Sequence, residues 1–235
     1  MEEKSKKEIF NGMDPLKDKL GTNEFIKLAI ENSYFFSVDI VKKRQSELAT
    51  LFQNKSQIPA RKTTKKDSGA SDYAQEEKDG TFYYCEQKNG VRIPIEVDKD
   101  GNRKVRSLIN SYVGYWAGNG KENSNFVNYT ISHIWGRAFD PRYFTSLWNI
   151  VLVPSWANTL MDKVPTKSSL ESMLQSTIKK ICSELYKDVD KRMVDDEPKI
   201  SFDESDVIPG TYQIKVLQEK KGKSQKPQPK EIKIS

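Results

Sequence analysis

Four consecutive apolar residues, Ile150-Val151-Leu152-Val153, follow Asn149 and stop at Pro154. A short apolar, β-branched run closed by proline reads as a strand and fixes the centre of whatever this chain folds into. A helix opens directly after it at Ser155 and carries Trp156, Asn158, Leu160 and Met161 until Pro165 interrupts. Upstream, Phe126 to Ile134 is also β-rich. Strand, loop, strand and helix therefore follow one another without a break.

The flanks divide by composition. Residues 22–53 read as helix, with Thr22 as cap and an apolar face of Phe25, Ile26, Leu28, Ala29 and Ile30 that resumes at Leu48, Leu51 and Phe52. From Asn54 to Gly80 large apolar residues almost vanish, and Arg61-Lys62-Thr63-Thr64-Lys65-Lys66 marks a basic, flexible linker. A mean hydropathy of −0.73 agrees with some length spent outside any core. Thr81 to Val97 forms a hairpin about Asn89-Gly90. Leu108, Ile109, Tyr112 and Val113 repeat at helical spacing. Ser168 or Ser169 caps a longer helix through Leu185, and Tyr212–Leu217 with Glu231–Ile234 makes a terminal strand pair. The expectation is an α+β protein in four parts. These are a helical N-terminal region (1–53), a basic linker (54–80), a central domain (81–187) and a short β C-terminal extension with a charged loop (188–235).

Cys85 and Cys182 lie too far apart for metal-ligand spacing, which excludes a cysteine-based zinc site and favours free thiols. The charged N-terminus does not resemble a signal peptide, and no apolar stretch approaches the roughly 20 residues of a membrane span. A soluble, cytoplasmic protein with no membrane partner is the expectation. The net charge of +6 is concentrated: between Asp100 and Lys180 ten lysines and arginines face five acids. That balance suits a polyanionic partner.

His133 is the sole histidine, near the end of the first strand of the central unit. A neutral imidazole is suited to taking a proton from water near pH 7, provided one angle and one tautomer are enforced. Asn149 follows 16 positions later, and Asn158 nine positions after that. Asp162 stands one helical turn beyond Asn158, so their side-chain oxygens face the same way. An amide and a carboxylate suffice for a hard cation that keeps most of its waters.

The run from Ile131-Ser132-His133-Ile134 through Leu147-Trp148-Asn149 to Ala157-Asn158 and Asp162-Lys163 resembles the HNH, or His-Me finger, endonuclease motif. The resemblance implies a ββα-metal finger in the central domain, clasping one Mg²⁺ or Mn²⁺ ion. It implies His133 as the general base and Asn149 as the asparagine that steadies the hairpin loop and the base. Asn158 becomes the metal ligand, with Asp162 as a further ligand. Ser132 occupies the position before the base, where many members carry an Asp or His that binds metal. The CxxC pairs that staple many such domains are missing.

Arg137 and Arg142, in the loop between the two strands, are the expected phosphate contacts, with Lys163 trailing the helix. Trp148 and Trp156 are expected in a small core rather than stacked on bases. The implied activity is a metal-dependent endonuclease acting on DNA, of restriction or defence type, with the terminal lobes available for target recognition or homodimerisation. The alternative is a nucleic-acid-binding protein that keeps the fold without catalysis.

Overall fold

The structure is a computed structural model and describes residues 14–61, 75–76, 83–86, 92–98, 101–117, 125–191 and 200–235. In chain order the elements begin with α1 (Asp14–Leu20), α2 (Thr22–Glu31), β1 (Tyr34–Phe36), α3 (Val38–Gln53) and β2 (Ile58–Arg61). Next come β3 (Gln75–Glu76), β4 (Tyr83–Glu86), β5 (Arg92–Asp98), α4 (Arg103–Val113) and β6 (Tyr129–His133). The short α5 (Pro141–Phe144) leads to β7 (Ile150–Pro154), α6 (Ser155–Met161) and α7 (Leu170–Leu185). Strands β8 (Gly210–Leu217) and β9 (Gln228–Ile234) close the chain. The protein is α+β.

Five strands form the main sheet in the order β6-β7-β1-β8-β9. All pairs are antiparallel except β1 with β8. Every residue of β7 is buried, which is why the sequence there shows a continuous apolar run rather than alternation. Central position β1 comes from the N-terminal region and β8 from the C-terminal region. The expected separation into N-terminal, central and C-terminal parts is therefore corrected: all three contribute to one sheet and one core.

The expected single helix over 22–53 is also corrected. It is interrupted at Tyr34-Phe35-Phe36, which pairs with Leu152 on one side and with Lys215-Val216-Leu217 on the other. Ser37 then caps α3, its hydroxyl accepting from the Ile40 amide at 3.5 Å. One face of α3 is buried from end to end. Ile40 and Val41 join the main core with Phe25, Phe36, Trp148 and Leu152. Leu48 and Phe52 join a second, smaller core with Ile58, Ala60, Ile93 and Ile95.

That smaller core belongs to a second sheet, β2-β5-β4-β3. Its strand β2 lies inside the stretch expected to be linker, where it runs parallel to β5 with Ile58 opposite Ile95 and Ala60 opposite Val97. Residues 62–74 of that stretch, and the Asn89-Gly90 turn, lie outside the described residues. The expected hairpin strands themselves are present as β4 and β5, antiparallel. Cys182 is a free, buried thiol on α7. No helix among the described residues is long and apolar enough to cross a membrane.

Candidate active site at the end of the main sheet

Strands β6 and β7 pair from Tyr129–Pro154 to His133–Ile150, and α6 follows β7 at once. The loop joining the strands, 134–149, is organised around Asn149, which is fully buried. Its side-chain oxygen accepts from the Trp135 amide at 2.8 Å. Its side-chain nitrogen donates to the carbonyls of Gly136 and Tyr143 at 3.2 and 3.1 Å. Its backbone carbonyl accepts from the Ile134 amide at 2.8 Å. One side chain thus pins both arms of the loop. None of these bonds goes to the His133 ring.

The ring is held by another group. His133 Nε2 lies 3.0 Å from the Phe144 carbonyl oxygen, and the His133 and Phe144 rings stack within 9° of parallel. A carbonyl only accepts, so Nε2 carries the proton and Nδ1 keeps the lone pair. Burial pushes the His133 pKa down to about 4; the Phe144 carbonyl opposes that shift and the Arg61 charge adds to it. The imidazole is neutral at physiological pH and oriented.

The residue that follows Phe144 is anchored from α3. Arg44, buried, donates from Nε to the Thr145 carbonyl at 3.2 Å and from Nη2 to the Thr145 hydroxyl at 2.7 Å. The neighbouring Gln45 accepts from Trp148 Nε1 at 3.2 Å. Residues 145 and 148 bracket the junction between Phe144 and Asn149, so α3 braces the loop on both sides.

Asn158 and Asp162 meet on α6 as the helical spacing requires: Asn158 Nδ2 donates to Asp162 Oδ2 at 2.6 Å. Asn158 Oδ1 is buried and has no hydrogen-bond partner. The amide nitrogen, not this oxygen, faces Asp162; an amide oxygen and a carboxylate are the donor types a hard cation takes. The end of α6 is fixed by Gln175 of α7, whose Nε2 donates to the carbonyls of Leu160, Met161 and Lys163 at 2.8, 3.3 and 2.9 Å. Those contacts flank Asp162.

Arg61, at the end of β2, reaches the 134–149 loop, and its place within a polar, basic run gives no sequence signal of this. Its backbone amide donates to the Ala138 carbonyl at 3.0 Å, tying the small sheet to the 134–149 loop. Its Nη2 donates to Asn102 Oδ1 at 2.7 Å and its Nε to the Gly101 carbonyl at 3.3 Å. Burial lowers the Arg61 pKa, while Asp98 and then Asp162 favour its charged form and Arg106 opposes it.

The remaining expected residues are placed differently. Ser132 points to the face of β6 opposite His133 and is 2% exposed. Arg142 is buried against Asp140, donating from Nε at 2.9 Å and from Nη2 at 2.8 Å. Arg137 lies 3.6 Å from the same carboxylate and over the Tyr143 ring. Both arginines thus pair with the buried Asp140 carboxylate inside the loop. Lys163 pairs with Glu171 at 3.0 Å near the surface. Trp148 is core, as its residue type suggested, whereas Trp156 is 36% exposed and meets Phe25 edge-on.

The family model described as uncharacterised protein PM1201 matches residues 36–233. The chain belongs to the PM1201 family. A PM1201 protein of Pasteurella multocida (strain Pm70) is 25% identical over 135 residues, covering 57% of this chain and 55% of that protein. The chain thus spans about half the length of the curated relative it matches. No solved structure matches it. The PM1201 span takes in Arg61, Asn102, His133, Asn149, Asn158, Asp162 and Gln175.

Proposed function

We propose that this protein is a metal-dependent endonuclease that hydrolyses DNA phosphodiester bonds, in a restriction or defence role, with the β6-β7-α6 unit as a ββα-metal finger. The observation that carries the reading is the neutral His133 ring, fixed in one tautomer by Phe144, on the same strand-strand-helix unit as the orphaned Asn158 oxygen. In this mechanism His133 Nδ1 removes a proton from water. The resulting hydroxide attacks phosphorus in line, the bond to the 3′-oxygen breaks, the departing 3′-oxygen takes a proton from solvent to become the 3′-hydroxyl, and the imidazole returns its proton to solvent.

Asn158 and Asp162 fit a Mg²⁺ or Mn²⁺ ion, with water and phosphate oxygens completing its shell. Such an ion supplies charge neutralisation at the phosphate and the leaving oxygen. Among the described residues no three His, Cys, Asp or Glu side chains converge, so the protein contribution would be an amide and a carboxylate. The buried Ser132 favours one second reading, a nucleic-acid-binding protein without catalysis, since it adds no ligand beside the base.

The test is cleavage of supercoiled DNA, linear DNA and RNA by the wild type and His133→Ala, with Mg²⁺, with Mn²⁺ and with EDTA. Metal-dependent products that disappear in the variant are expected. Salt-sensitive binding without any product would establish the second reading, and equal cutting by the variant would remove His133 from the mechanism.

A further inference from the structure

We infer that Arg61, delivered by the small sheet, is the cation that holds the scissile phosphate beside His133. The inference rests on the reading of His133 as a hydrolytic base and adds to it the group that binds the substrate's charge. A phosphodiester needs a cation beside the base, and the arginines nearest in sequence are occupied by Asp140. Arg61 belongs to a different sheet, yet its side chain is tied through Asn102 to the Ile131 carbonyl, two residues before His133 on β6.

Its geometry is that of a mounted guanidinium. Asn102, nearly buried, accepts from Arg61 Nη2 and donates through its own Nδ2 to the Ile131 carbonyl at 3.4 Å. Ile131 lies two residues before His133 on β6, so the guanidinium and the base are referenced to one strand. The Arg61–Ala138 backbone bond fixes β2 against the loop from the other side. Nε and Nη2 are engaged, whereas Nη1 carries no hydrogen bond among the described residues. A preorganised arginine with an uncommitted donor binds a phosphate oxygen at little entropic cost.

The single histidine provides a site-specific probe. The full chain, labelled with ¹³C-histidine, is titrated with inorganic phosphate near neutral pH without metal. The same titration follows for Arg61→Gln, Arg61→Lys and Arg142→Lys, with circular dichroism as the check on folding. A saturable shift of the His133 resonance is expected in the wild type. Its affinity should fall about tenfold or more in Arg61→Gln, fall less in Arg61→Lys, and persist in Arg142→Lys.

No saturable shift in the wild type, or equal affinity in a folded Arg61→Gln, overturns the inference. If Arg61→Gln does not fold, Arg61→Lys decides: phosphate affinity equal to wild type also overturns it, because a lysine cannot reproduce the guanidinium fork. Cleavage assays separate the two levels of the reading. Arg61-dependent phosphate binding without cutting leaves Arg61 as an anion-binding residue and removes the nuclease. Cutting that is indifferent to Arg61→Gln keeps the nuclease and removes Arg61.

Discussion

His133 Nε2, at the end of β6, and the Phe144 carbonyl oxygen, within the 134–149 loop, stand 3.0 Å apart. That bond makes the tautomer of the base depend on the loop's conformation. The pH profile follows. With the His133 pKa pushed down to about 4 by burial, cleavage should stay flat through pH 6.5 on the acid side and fall only toward pH 4. Arg61→Gln removes a charge that contributes to the depression and should move the limb upward. A rate profile in Mg²⁺ checks both; a wild-type limb at the ordinary histidine value would show a ring more open to water than this one.

Stability carries the same signature. The folded pKa of His133 lies below its unfolded value of 6.5. Between those values the unfolded chain binds a proton that the native chain does not. Stability is therefore full above the unfolded pKa, declines as pH drops through the window, and levels off below the folded pKa, by on the order of 3 kcal/mol. Urea denaturation of wild type against His133→Asn isolates this from the carboxylates. Parallel curves would mean that the ring titrates alike in both states.

Replacement of the base should affect rate more than binding. His133→Ala is expected to lose about 10²–10⁴ in kcat, the usual scale for general-base catalysis. DNA affinity in EDTA should change little, because the ring is neutral and engaged with Phe144. A large loss of affinity with intact kcat would assign His133 to substrate binding.

Asn149→Ala tests positioning without contact. Three buried hydrogen bonds leave with the amide, at a cost of about 3 kcal/mol. Cleavage should fall because Phe144 no longer fixes the ring. The readout that separates this from simple unfolding is the His133 resonance, which should broaden or shift in conditions where the variant is still folded.

Gln175→Leu removes the three bonds that close α6 without opening a large void. The expected result is a roughly tenfold or greater increase in the Mg²⁺ concentration needed for half-maximal cutting, as for groups that orient metal ligands. Asp162→Asn should raise the same midpoint directly. An unchanged Mg²⁺ midpoint in both variants would place the metal elsewhere.

The ββα unit could be read locally because each signal was local. Pro154 ends β7, Ser155 starts α6, and Asn158 with Asp162 follows from helical spacing alone. Ser169, one of two expected caps, does cap α7, accepting from the Ser172 amide at 3.1 Å. The brief β1 was hidden because Tyr34-Phe35-Phe36 fits a helical apolar face equally well, and its partners lie more than a hundred residues away. Strand β2 was hidden because Ile58 and Ala60 are too few to show alternation within a polar stretch. That misreading concealed Arg61. Arg137 and Arg142 drew attention through charge, but Asp140, fully buried between them in sequence, takes both. Which of several cations meets the carboxylate is decided by tertiary packing.

The parallel pairing of β1 with β8 also imposes an order in time. Residues 34–36 cannot complete their pairing until 215–217 have been synthesised, so the sheet closes by a contact of long sequence separation, which slows folding. A nascent chain that already contains His133, Asn158 and Asp162 still has an open edge in the middle of its sheet. The sheet that carries them is thus completed late in synthesis.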